Sequence, residues 1–228
     1  MANIPNLKGP SLPPLSGGEA KQIIILLHGV GSDGDDLIGL APYFQKILPD
    51  ALFVSPNAPY AFDKASQGYQ WFSLQEMTPE TRLAGTQTAT PILNSFIDDQ
   101  LKMTGLYEKN LALIGFSQGS MMALHVGLRR KKTIAGILGY SGMLVGPDLL
   151  GESIRSRPPV FLSHGDADDV VPISALSEAV SALEAVDISV SHHTIPGLGH
   201  GLDDESIKMG MEFLADIFDI DLVAMARE

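Results

Sequence analysis

The chain has 228 residues, 45% of them hydrophobic, and its 15 basic and 27 acidic side chains give a formal net charge of −12. A chain of this size buries roughly 70% or more of the surface it exposes when unfolded, so extensive disorder is excluded, and the longest aliphatic run, Ile23 to Leu27, is far too short to span a membrane. The absence of cysteine excludes disulfides, thiolate metal sites and a cysteine nucleophile, and the acidic balance argues against nucleic acid or an anionic lipid surface as the main partner.

Residues 1–20 read as a loose arm or an edge element, because Pro5, Pro10, Pro13, Pro14, Gly17 and Gly18 discourage regular structure. Met1 to Leu15 carries no continuous apolar stretch, so no secretory signal is expected and a cytoplasmic location is. The remainder, 21–228, is expected to form one domain. Ile23–Leu27 and Ala51–Ser55 read as strands, with a partly helical stretch over Asp36–Leu48 between them. Pro56, Pro59, Gly68 and Pro79 mark 56–79 as a long loop. Thr81–Met103 reads as a helix that Pro91 kinks or divides. Leu111–Phe116, Ile134–Tyr140, Val160–Ser163 and Ile188–Thr194 read as strands, and Gln118–Arg130, Ser174–Ala185 and Ile207–Phe218 as helices. Apolar strands alternating with helices predict an α/β fold whose mostly parallel sheet is covered on both faces.

Gly115-Phe116-Ser117-Gln118-Gly119 is a G-x-S-x-G string placed between an apolar strand and a helix. That context is what a nucleophile elbow requires: a tight turn that lifts a serine hydroxyl above the sheet. A serine needs a base, and the base needs a carboxylate. His200, in the glycine-rich loop Gly197-Leu198-Gly199-His200-Gly201, is favoured over His125, His164, His192 and His193, which fall within or close predicted elements. The carboxylate lies among Asp166, Asp168 and Asp169, just after a strand. Asp166 is expected to close the turn, and Asp168 is preferred to Asp169 for orienting His200. The loop His28-Gly29-Val30-Gly31 follows the first clear strand, so Val30 and Gln118 are the candidate backbone N–H donors to an oxyanion.

Gly29-x-Gly31-x-x-Gly34 also fits a dinucleotide fingerprint. Three features oppose that reading. No acid ends the second strand at Val54-Ser55-Pro56-Asn57, Asp33, Asp35 and Asp36 crowd the phosphate position, and Pro42 interrupts the following helix. Arg129-Arg130-Lys131-Lys132 reads as a cationic complement to the end of the elbow helix. Trp71, in Gln70-Trp71-Phe72, reads equally as a loop anchor or as part of an acyl pocket.

With these pieces in place, the chain resembles the carboxylesterase/phospholipase family, the type II esterases that include acyl-protein thioesterases and lysophospholipases. The matching stretches are Leu26 to Gly34, Gln70-Trp71-Phe72, Gly115 to Gly119, His164-Gly165-Asp166-Ala167-Asp168-Asp169-Val170-Val171-Pro172 and Gly197 to His200. The resemblance implies an α/β-hydrolase fold with a minimal lid, a triad of Ser117, Asp168 and His200, and oxyanion donors at Val30 and Gln118. Trp71, Phe72 and Met143 are the candidate substrate-pocket residues. The expected activity is serine carboxylesterase action on small, uncharged acyl esters, with thioesterase or lysophospholipase action as the alternative. A non-catalytic ligand binder is the rival from another class, although it would have no use for an intact triad. No cofactor and no metal is expected. The expected partner is a small-molecule ester, with a homodimer left open and neither nucleic acid nor a stable membrane anchor.

Overall fold

The computed structural model describes residues 5–225. In chain order the elements are β1 (Ser11–Leu12), β2 (Gln22–Leu27), α1 (Gly34–Leu37), α2 (Ala41–Phe44), β3 (Ala51–Val54), β4 (Tyr60–Ala61), β5 (Tyr69–Gln70), α3 (Pro79–Thr104), β6 (Leu111–Phe116), α4 (Gln118–Gly127), β7 (Gly136–Tyr140), α5 (Leu150–Ser153), β8 (Val160–Gly165), α6 (Ser174–Glu184), β9 (Val190–Ile195), α7 (Asp204–Ile217) and α8 (Leu222–Met225). The main sheet has seven strands in the order β1-β3-β2-β6-β7-β8-β9, and only the β1–β3 pair is antiparallel. β4 and β5 form a separate two-stranded ribbon inside the loop expected over 56–79.

β2 shows why its sequence has no polar alternation. Ile23, Ile25 and Leu27 pack into a core shared with α3, α4 and α6, while Ile24 and Leu26 pack into a second core with α2 and α7. A central strand covered on both faces requires apolar residues at every position, each worth about 1.5–3 kcal/mol when buried. The registers Leu27↔Gly115 and Phe116↔Tyr140 set the C-terminal ends of β2, β6 and β7 side by side. Parallel α/β sheets place their ligands at such an edge.

The N-terminal arm is an edge element, and its residues 1–4 lie outside the described ones. Beside the short β1, Ser55 N–H donates to the Pro10 carbonyl and Asn57 N–H to that of Lys8. α3 is not divided at Pro91. The proline and Gln87, whose carbonyl loses its donor, are both exposed, so the freed carbonyl faces solvent and is not left as a buried, unpaired acceptor. α7 starts earlier than the apolar pattern suggests, because Asp203 and Ser206 form a capping box. Among the described residues, no helix is long and apolar enough to cross a membrane.

His125 sits inside α4 with its Nδ1 buried and unpartnered. Burial, reinforced by the Arg129 charge, pushes its pKa down from 6.5 to about 4. The imidazole is therefore neutral when folded and protonates more readily when unfolded. Stability should fall as pH drops from about 6.5 to 4, by about 3 kcal/mol from this group. Denaturant titrations across that window should show His125→Gln with a flatter acid limb than the wild type. Parallel limbs would remove His125 as the cause.

Candidate active site

β6 ends at Phe116 and α4 starts at Gln118, so Ser117 alone makes the turn, at φ 53° and ψ −117°. A non-glycine residue there costs about 1–3 kcal/mol, which the packing around it must offset. That packing is tight. A β-carbon on Gly119 would fall 1.8 Å from the Leu27 carbonyl oxygen, and one on Gly115 would meet the Gly119 backbone at 2.4 Å. The two glycines of G-x-S-x-G are thus fixed by close backbone approach. Ser117 itself is buried.

His200 Nδ1 lies 2.8 Å from Asp168 Oδ2. Asp168 Oδ1 accepts the N–H groups of Val170 (2.9 Å) and Val171 (2.8 Å). Burial alone would raise the Asp168 pKa, but the bonds from His200, Val171 and Val170 together outweigh it and hold the carboxyl below its ordinary range. The His200 ring sits 5.0 Å from the Phe116 ring, next to the elbow. Among the described residues, the Ser117 hydroxyl has no protein hydrogen-bond partner, so the serine–histidine bond is not formed in this conformation. Asp166 Oδ1 accepts Gly197 N–H at 2.6 Å, bracing the loop that carries His200, while Asp169 is exposed.

The sequence did not show that His164 shares the carboxylate. Its Nε2 lies 3.2 Å from Asp168 Oδ2 and 2.9 Å from the Val171 carbonyl, and the ring is buried. Its place at the end of a strand was the only signal. Ser141 was missed too. It takes φ 46°, its N–H donates to the Ser163 carbonyl, and its Oγ lies 3.4 Å from that of Gly201.

The loop from His28 to Gly31, the candidate oxyanion loop, is held from three directions. Gly31 N–H donates to the Tyr69 carbonyl and Tyr69 N–H to that of Ser32, which ties the loop to β5. Trp71 Nε1 donates to the His28 carbonyl at 3.0 Å. Ala58 N–H donates to His28 Nε2 at 2.9 Å, which leaves the proton on Nδ1, 2.6 Å from the Gly29 carbonyl. Burial lowers the His28 pKa and favours this neutral ring. The Gln118 side chain then clamps the long loop to the elbow, accepting Trp71 N–H and donating to the Phe72 carbonyl. Among the described residues, the N–H groups of Val30 and Gln118 donate to no protein acceptor. A β-carbon on Gly29 would lie 3.3 Å from Ser117 Cβ, so the loop borders the serine.

These contacts bear on the dinucleotide fingerprint. The helix that follows it has four residues, Gly34 N–H donates to Asn57 Oδ1, and Asp36 N–H donates to Asp33. A pyrophosphate would find those donors engaged. Among the described residues, no group of three or more His, Asp or Glu side chains could hold a metal ion.

Of the three pocket candidates, Trp71 and Phe72 are buried, at 0% and 3% exposure, and the Trp71 indole and the Phe72 carbonyl both take part in the bonds that hold the loop. Met143 does line a cavity, of about 360 Å³, with Pro79, Arg82, Gly146, Pro172 and Glu178 among its walls. Met143 follows β7 and Pro172 ends the Asp168 segment, so the cavity lies on the side of the sheet edge that carries the candidate triad. Met77, Leu149 and Val170, on the segments that bound it, are exposed large apolar residues.

The sequence model described as phospholipase/carboxylesterase matches residues 15–218. The chain belongs to this family. It is 28% identical over 195 residues to the esterase YpfH of Escherichia coli, covering 86% of this chain and 82% of that one. It is 35% identical over 167 residues to an acyl-protein thioesterase 1 of Saccharomyces cerevisiae, covering 68% and 73%. The crystal structure of esterase PE8 superposes with a TM-score of 0.90 at 42% identity, covering 93% of this chain and 99% of that one. The fold is that of the α/β-hydrolases, and the family member described here is a carboxylic ester hydrolase.

Proposed function

We propose that this esterase works through a covalent acyl-enzyme formed on Ser117, with small, uncharged acyl esters as substrates. The Ser117 oxygen attacks the ester carbonyl as its proton passes to His200 Nε2. Asp168 holds the imidazole with its proton on Nδ1 and stabilises the imidazolium. The N–H groups of Val30 and Gln118 receive the oxyanion. The alcohol departs with the proton from His200, and water repeats the sequence to release the acid. The observation that carries the reading is the 2.8 Å Asp168–His200 contact beside a strained serine. A fluorophosphonate probe should label Ser117, located by peptide mapping. Labelling of another serine, or none in protein that turns over esters, would overturn the covalent assignment.

The charge preference follows from the cavity. Arg82 lines it, but so do Asp148 and Glu178, and the whole chain carries −12. Neutral esters should therefore outrun matched esters bearing a carboxylate near the scissile bond, and added salt should narrow the gap. A faster anionic ester whose lead shrinks with salt would mean that Arg82 sets the local field. The exposed apolar side chains of Met77, Leu149 and Val170, each one or two positions along the chain from a residue that lines the cavity, favour a second reading, hydrolysis of longer acyl thioesters or lysophospholipids. A chain-length series of paired oxygen esters and thioesters separates the two, since the first reading requires the optimum to fall at short chains.

A further inference from the structure

Five of the chain's 15 basic residues converge on a second cavity, of about 400 Å³: Arg129, Arg130, Lys131, Lys132 and Arg155. Asn94 and two carboxylates, Asp98 and Glu108, also line it. Both carboxylates are already engaged. Arg130 bonds Asp98 at 2.6 Å and lies 3.6 Å from Glu108, and Lys132 lies 3.5 Å from Glu108. Arg129 reaches only neutral acceptors, the His125 carbonyl and Ser153 Oγ. Among the described residues, Arg129, Lys131 and Arg155 have no carboxylate partner. The cavity therefore holds three more positive than negative charges, in a chain of net −12.

A helix dipole does not account for this cluster. It favours a cation in the last turn by about 0.3–1 kcal/mol at an exposed site. It does not explain why Arg155, from the segment after α5, joins the group. Nor does it explain why Arg130, with a side chain only 7% exposed, keeps a buried Nε that lacks an acceptor. Gathered like charges cost free energy unless an anion offsets them. Guanidinium forks match the oxygens of phosphate, and three surplus charges suit a doubly or triply charged group better than one carboxylate.

We propose that this cavity binds a multiply charged phosphate group, with Arg129, Lys131 and Arg155 supplying the uncompensated charge and the anchored Arg130 lining the site. It lies at the end of α4 opposite Ser117, and the ten residues of that helix put about 15 Å between the two ends. The ligand thus stays clear of the reacting atoms. The source could be a free phosphate compound or a lipid headgroup, the latter suggested by the 65% exposure of Tyr107 beside Glu108.

The probes are inorganic pyrophosphate in solution and neutral-lipid vesicles carrying phosphatidate. At constant ionic strength, pyrophosphate should raise the Tm saturably, by about 5 °C at a hundredfold excess over Kd. The exposed pair Lys131→Ala/Arg155→Ala should weaken this at least tenfold while leaving neutral-ester turnover unchanged. A response to pyrophosphate alone assigns a free ligand, and cosedimentation with vesicles alone assigns a headgroup. The proposal fails if neither probe binds, if the double variant binds like the wild type, or if citrate gives an equal shift.

Discussion

Ser117→Ala is expected to lower kcat by about 10⁴-fold or more while the protein stays folded. The hydroxyl has no protein partner in this conformation, so its removal strands no buried donor or acceptor. Alanine keeps the β-carbon and hence the same strain at φ 53°. What disappears is the atom that bonds to the acyl carbon, and the residual rate should come from the oxyanion donors and from substrate positioning alone. Ser117→Gly supplies a second readout. It should be equally inactive yet more heat-stable, since glycine relieves a conformation costing about 1–3 kcal/mol. Turnover by purified Ser117→Ala near the wild-type rate would take the serine out of the mechanism. A Ser117→Gly protein less stable than wild type would mean that the elbow is not strained.

What could be read from the sequence was whatever depended on chain order and periodicity. The run Ile23 to Leu27, the G-x-S-x-G turn between strand and helix, and the acid-rich segment after β8 each fixed an element and its end. Residues such as Trp71 and Phe72 could not be placed that way. Whether an aromatic faces a cavity or fills a core depends on the loop's path, and that path is held by Gln118 bonding to backbone atoms far earlier in the chain. His164 was invisible for the same reason, because its partnership with Asp168 arises only when the chain turns back after β8. The run Arg129 to Lys132 was legible as charge. Its meaning changed once Arg155 arrived from another segment and Arg130 proved buried.

Asp168→Asn should be nearly as damaging to kcat as loss of the serine, by about 10⁴-fold, whereas Asp166→Asn and Asp169→Asn should cost little. The asymmetry follows from what each oxygen does. Asp168 Oδ1 is committed to the N–H groups of Val170 and Val171, so an asparagine keeps its carbonyl oxygen there and turns its NH₂ toward His200. Two donors then face each other, and the imidazole must either move or adopt the tautomer that leaves Nε2 protonated and unable to accept the serine proton. Flipping the amide restores the histidine contact only by presenting NH₂ to two backbone N–H groups. His164 adds to the penalty, since its Nε2 lies 3.2 Å from the same Oδ2. Asp166 needs only one acceptor for Gly197 N–H, which an asparagine oxygen supplies, and the exposed Asp169 has no such duty. The three variants should be compared in kcat at a pH where the wild type is fully active, with Tm measured alongside. If Asp169→Asn is the crippling change, the wrong carboxylate has been assigned to His200. If Asp168→Asn keeps its activity, the imidazole is oriented by the loop from Gly197 to Gly201 instead of by the carboxylate.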